Sequence, residues 1–231
     1  HYNKAIRSEP QIEDLHYNLG ITLLMQGKTA EAEASHLRAL EINPKYSSGP
    51  SGLGSLYAHV GDYQKSISCY RSALKYNHQD VESLTGLTGS LAAIGKYSEA
   101  SEIIHTALEI SPDNIEALIT QGFLFTSTGK PEKAIQTGLH VLNKHPERSE
   151  AIILIAGALE ISGEYRKAYK FLHPLLDKEK VDENAGIVFA TISKHIGMEQ
   201  QAIELLQRIL AHNQQVPSHT QRKIQFTLGE I

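Results

Sequence analysis

Small and apolar positions return along this 231-residue chain with a period of 34 residues. Gly27, Gly61, Gly95, Gly129, Gly163 and Gly197 form one column with no insertion between any neighbouring pair. Five residues after each glycine stands a small side chain: Ala32, Ser66, Ala100, Ala134, Ala168 or Ala202. Thirteen after it stands Leu40, Leu74, Leu108, Leu142, Leu176 or Leu210. A further column, Ala39, Ala73, Ala107, Val141, Leu175 and Ile209, drifts from small to large, which predicts less close packing in the later units. A fixed period sets the architecture before any single element is argued. Each unit reads as two helices whose apolar stripes are buried against the neighbouring unit. Small residues at positions 8 and 20 of the unit let the two helices approach. The glycine ends the first helix in the left-handed conformation, where another residue would cost about 1 kcal/mol. Pro10, Pro44, Pro112 and Pro146 stop the second helix.

The motifs within the period are more specific. Residues 13–46 carry Leu19-Gly20, Gly27, Ala32, Ala39 and Pro44, and residues 47–80 carry Leu53-Gly54, Tyr57, Gly61, Tyr63, Tyr70 and Ala73. Residues 81–114 have Leu87, Gly95, Tyr97, Ala100, Ala107 and Pro112, and residues 115–148 have Gly122, Gly129, Ala134 and Pro146. This pattern resembles the tetratricopeptide repeat, a helix-turn-helix unit with Leu-Gly, Tyr, Ala, an aromatic and Pro at set offsets. Residues 149–182 and 183–216 keep the glycine, small-residue and leucine columns but lose the proline, so they read as degenerate repeats resting on the period. Residues 1–12 read as the end of a preceding second helix, residues 217–221 as a linker, and residues 222–231 as the start of a further first helix with Leu228-Gly229 on the Leu-Gly pair. The resemblance implies an all-α fold, a right-handed superhelical α-solenoid of antiparallel helix pairs. Ends that fall in mid-helix predict a piece of a larger protein.

Composition narrows the function. A hydrophobic fraction of 41% and a charged fraction of 21%, with no Trp, suit closely packed helices with Ala, Leu and Ile in the core. The formal charge of -4 offers no general attraction to nucleic acid or anionic lipid. The longest apolar run, 151–159, is roughly half of the ~20 residues a membrane span requires. Cys69 is the single cysteine, so neither an internal disulfide nor a thiolate metal site can form, and it reads as a small buried filler. A cytoplasmic, reducing setting accords with this usage. The 12 histidines fall in different repeat columns, among them His36, His59, His140 and His195, and no i, i+4 pair is followed by a further ligand. No metal or other cofactor is expected. The dense glycine patch Gly49 to Gly54 is not a phosphate loop, and Gly-x-Ser-x-Gly is absent, so the chain itself reads as non-enzymatic.

The resemblance also implies where a partner sits. In this family the first helices line a concave face, with positions 2, 5, 9, 12 and 13 looking into the groove. Position 2 is Asp14, Ser48, Glu82, Glu116, Glu150 and Asn184; position 5 is Tyr17, Ser51, Thr85, Ile119, Ile153 and Ile187; position 9 is Ile21, Ser55, Gly89, Phe123, Gly157 and Thr191. The candidate partner-binding residues are therefore Asp14, Tyr17, Ile21, Glu82, Glu116, Ile119, Phe123, Glu150, Ile153 and Ile187. An acidic row beside an apolar strip predicts a protein or peptide ligand with apolar anchors and some Lys or Arg. The competing reading packs the Ile and Phe side chains between adjacent first helices. Neither the Lys and Asn pattern of chaperone-binding members nor their relatives' Asn ladder at position 6 is present, since that column is Asn18, Gly52, Gly86, Thr120, Leu154 and Val188. A second reading makes the array the non-catalytic arm of a larger enzyme, such as a bacterial sulfotransferase or glycosyltransferase. A third is end-to-end self-association through uncapped apolar faces.

Overall fold

Each glycine of the 34-residue column turns the chain with a positive φ between 68° and 83°. The turn closes by a paired hydrogen-bond motif. At the first, the Gly27 amide donates to the Leu24 carbonyl and the Lys28 amide to the Leu23 carbonyl, both at 2.9 Å. The same pattern recurs at Gly61, Gly95, Gly129 and Gly163. Carbonyls that the first helix leaves without intrahelical partners are thereby satisfied. Turns of two or three residues between helices of about four turns leave the second helix no course but to run back along the first.

In a computed structural model, residues 11–178, 181–212 and 218–231 are described. Among them the first helices are α1 (Glu13–Met25), α3 (Ser48–Val60), α5 (Val81–Ala93), α7 (Ile115–Ser127), α9 (Ser149–Ile161) and α11 (Glu183–Ile196). The second helices are α2 (Thr29–Ile42), α4 (Tyr63–Tyr76), α6 (Tyr97–Ile110), α8 (Pro131–Lys144), α10 (Tyr165–Leu176) and α12 (Glu199–His212), and α13 (Ser218–Glu230) follows. The described residues hold no strand, and the fold is all-α. Two compact units divide the chain, residues 1–112 and residues 113–231. The expected tail of a preceding helix over residues 1–12 lies, up to Pro10, outside the described residues. The stretch 217–221, expected as a linker, is helical from Ser218 onward: no glycine or proline occurs from Ser218 to Leu228, so nothing interrupts α13 before its last turn.

Within each pair, the position-20 column is the contact point. Ala32, Ser66, Ala100, Ala134, Ala168 and Ala202 are all fully buried. Ser66 keeps its hydroxyl satisfied there by donating to the Gly54 carbonyl at 2.8 Å, and Ser90 Oγ lies 2.8 Å from it. The drifting column, from Ala39 to Ile209, is buried throughout, and the two helices of a pair share progressively less close backbone approach from α1/α2 to α11/α12.

Position 24 carries the bulk between units. In the first unit of the chain, the His36 ring fills a slot between α1 and α3. A Cβ added at Gly20 or at Gly52 would come to 2.5 Å from that ring. Tyr70 fills the next slot, walled by Gly54 and Gly86, so the dense glycine patch is the interior of a helix that leaves room for aromatic rings. The fourth unit inverts the arrangement. Gly138 stands at position 24, and the space is taken from the other side by Leu154 against Gly122 and by Ile155 against Gly138, both fully buried.

The largest apolar cluster lies in the unit 113–231 and runs from Ile153 and Leu159 through Leu172, Phe189, Ile192 and Leu206 to Ile224 of α13. Ile224 is fully buried, so α13 covers apolar surface of α11 and α12.

Candidate functional site

Backbone periodicity decides which side chains of a first helix can reach a ligand. Positions 2, 9 and 13 lie seven and eleven residues apart, which places them within about 40° on one helix face. In α1 that stripe is Asp14, Ile21 and Met25, all exposed, with Met25 at 78%. In α7 it is Glu116, Phe123 and Ser127, and in α9 Glu150 and Ile161 are its exposed members. Phe123 is 40% exposed and Ile161 51% exposed.

Position 5 behaves differently. Ile119, Ile153 and Ile187 are buried to within 4%, 4% and 7% of full enclosure. Ile119 packs with Val141 and Ala151, and Ile153 and Ile187 belong to the large apolar cluster. Of the expected groove residues Ile119, Phe123, Ile153 and Ile187, Phe123 alone is exposed; the isoleucines at position 5 are buried against neighbouring helices, as the competing reading has it. A serine at Ile119 or Ile153 would open the core.

The acidic row at position 2 is not uniform. Asp14 accepts a hydrogen bond from the Tyr46 hydroxyl at 2.6 Å. Glu116 accepts one from Arg148 at 2.8 Å, and the same guanidinium lies 3.9 Å from Glu150. Those three carboxylates are answered by groups at or near position 34. Glu82 has no such group among the described residues: position 34 of its own repeat is Asn114, whose side-chain oxygen accepts from the Ala117 amide, and position 34 of the preceding repeat is Asp80. Desolvation, reinforced by the Asp80 charge, raises the Glu82 carboxyl above the usual range. Tyr17 is pushed up to about 12, first by burial and then by the charges of Glu82 and Asp80. Tyr70 is raised for the same reasons. The Tyr17 ring meets Tyr46 edge-on at 5.9 Å and His36 at 5.5 Å.

Among the described residues, three polar side chains have buried atoms without a hydrogen-bond partner: both nitrogens of His36, Ser51 Oγ and Thr85 Oγ1. The last two are position-5 residues, where the unit 113–231 has isoleucines. Sequence reading put Ser51 and Thr85 in their column but could not show that nothing satisfies them.

Elsewhere, Cys69 is half-buried, and burial foremost, then Asp62 and Glu33, raise its thiol, so no thiolate is favoured there. No described helix is long and apolar enough to cross a membrane. A cleft of about 410 Å³ opens between α10 and α12, lined by Tyr169, His173, Phe189, Met198 and Arg208 among others.

Stacked helix pairs closed by left-handed glycines, each presenting one exposed side-chain stripe, define a helical repeat protein. Comparison with known sequences agrees. Three models of the tetratricopeptide repeat match residues 13–46, 51–82 and 116–224, and the chain belongs to the tetratricopeptide-repeat family. A stretch of 74 residues, 32% of the chain, is 34% identical to anaphase-promoting complex subunit 3 of Schizosaccharomyces pombe, of which it spans only 11%. Among solved structures, a tetratricopeptide repeat protein from Parabacteroides merdae matches over 99% of this chain and 88% of its own, with a TM-score of 0.78 and 19% identity. The APC/C hetero-tetramer Cut9-Hcn1 matches over 99% of this chain and 44% of the other, with a TM-score of 0.78 and 17% identity. At these identities the structural likeness is one of fold.

Proposed function

We propose that the chain is a docking module that holds a segment of another protein on the exposed stripes of the first helices of its units. One observation carries this reading: the exposed stripe at positions 2, 9 and 13 keeps apolar side chains in water on the same helix face as a carboxylate, Ile21 and Met25 with Asp14, Phe123 with Glu116, and Ile161 with Glu150. An apolar side chain left exposed beside a charged rim marks a contact surface. The resemblance to a subunit of a multiprotein complex supports the same class of role. The fitting ligand is a protein segment with apolar anchors.

The test is selection of random twelve-residue peptides on the immobilised chain, repeated with Phe123→Ser and with Ile21→Ser/Met25→Ser. These residues are exposed, so the variants keep the fold. Peptides enriched on the parent chain that bind either variant at least tenfold more weakly support the reading. Equal affinity for all three proteins would refute it.

A further inference from the structure

No Lys or Arg occurs in α1, α3 or α5, whose charged side chains are Glu13, Asp14 and Glu82 together with any protonated His16 or His59. Glu13 is hydrogen-bonded by the Asn43 amide at 2.9 Å and Asp14 by Tyr46. Among the described residues Glu82 forms no ion pair and no hydrogen bond, and beside it Asp80 accepts from the Ser83 hydroxyl at 2.5 Å. In the unit 113–231 the equivalent carboxylates share Arg148. The unit 1–112 therefore leaves open the charge that the other unit closes from within.

A second observation comes from position 5. Ser51 is 2% exposed and its Oγ has no partner, and Thr85 Oγ1 in the next repeat is likewise unanswered. Both side chains are shorter than the isoleucines that fill this position later in the chain. Tyr17 stands at position 5 of the first repeat, its ring 5.5 Å from the His36 ring, which itself abuts Gly52 beside Ser51. An orphaned hydroxyl in an enclosed place costs about 1 to 3 kcal/mol, and a ligand that donates to it recovers that cost.

We propose that Glu82 and Asp80, with the Tyr17 ring and the Ser51 and Thr85 hydroxyls, form a subsite for one basic side chain, Lys or Arg, of the docked protein segment. The ammonium or guanidinium pairs with Glu82, lies against the electron-rich face of Tyr17, and donates its remaining hydrogens to the two hydroxyls once Tyr17 turns aside. Charge complementarity selects this occupant: a cation supplies from the partner what Arg148 supplies from within in the other unit. The proposal rests on the docking role and adds to it where the basic residue goes.

Peptides selected on the parent chain should be enriched in Lys or Arg, and the enrichment should vanish on Glu82→Gln, an exposed and nearly isosteric change. For one enriched peptide, replacing its basic residue with norleucine should weaken binding about tenfold on the parent chain, equivalent to about 1.4 kcal/mol. The same replacement should change nothing on Glu82→Gln. Enriched peptides without a basic bias, or a bias that survives Glu82→Gln, would overturn this subsite while leaving the docking role standing. Selection of no peptide would overturn both. A subsite that takes spermidine as tightly as the peptide, with the norleucine peptide unaffected, would make its occupant a free polyamine and overturn the proposal.

Discussion

His36 shows how one side chain can be right in shape and wrong in chemistry for its place. It occupies the aromatic slot between Gly20 and Gly52, is 1% exposed, and has no partner for either ring nitrogen. Burial lowers its pKa from 6.5 to about 4. The equivalent slot one repeat on accepts the larger Tyr70, so His36→Phe fits and removes two orphaned polar atoms; stability should rise by about 1 to 3 kcal/mol, read from urea unfolding. The sign of the pH effect follows from the depressed pKa. The unfolded chain binds a proton below about 6.5 that the folded chain refuses until about 4, so stability falls as pH falls through that window, by about 3 kcal/mol in all. The Phe variant should lose this part of the acid sensitivity, and an unchanged pH profile would show that His36 is not its source. The sequence placed His36 in its repeat column and could not show its isolation, because that depends on which groups two other helices bring to it.

At the scale of helices, the pairs were the most legible feature, since the glycine column and the position-20 column each impose a backbone condition that few residues meet. The exchange at the fourth repeat was not legible. Gly138 stands where the first two repeats carry a ring, and Leu154 and Ile155 fill the volume from the next first helix. Leu154→Ala would leave a void beside Gly122 that no other side chain can enter, and should cost about 2 to 5 kcal/mol. Thermal unfolding of the variant measures it. The same competition between faces left two readings of Ile119, Ile153 and Ile187 open, because a family's groove positions say which way a residue leans and not how closely the next helix stands. Likewise the acidic row was visible, while its internal neutralisation by Arg148 depends on a residue 32 positions from Glu116.

For the molecule as a whole, the all-α repeat architecture could be read from the period together with the motifs that resemble the tetratricopeptide repeat, whereas the part played by α13 could not. Ile224 ends in the core shared by α11 and α12, with Leu228 packed against its edge. Removing residues 218–231 should therefore strip hydrogen-exchange protection from α11 and α12 while leaving α1 to α4 protected, since repeat arrays communicate mainly through nearest neighbours. Protection lost equally everywhere would show that cooperativity spans the chain. The slots at position 24 have one more consequence. A repeat carrying a ring at that position must be followed by one with glycine at position 6, and the repeat that carries Gly138 must be followed by the one that carries Leu154. The modules are thus not interchangeable: moving the fifth behind the first would drive Leu154 into His36, and moving the second behind the fourth would leave a hole. Steric matching of this kind writes the serial order of the repeats into the chain, and shuffling them is forbidden by volume before any ligand is considered.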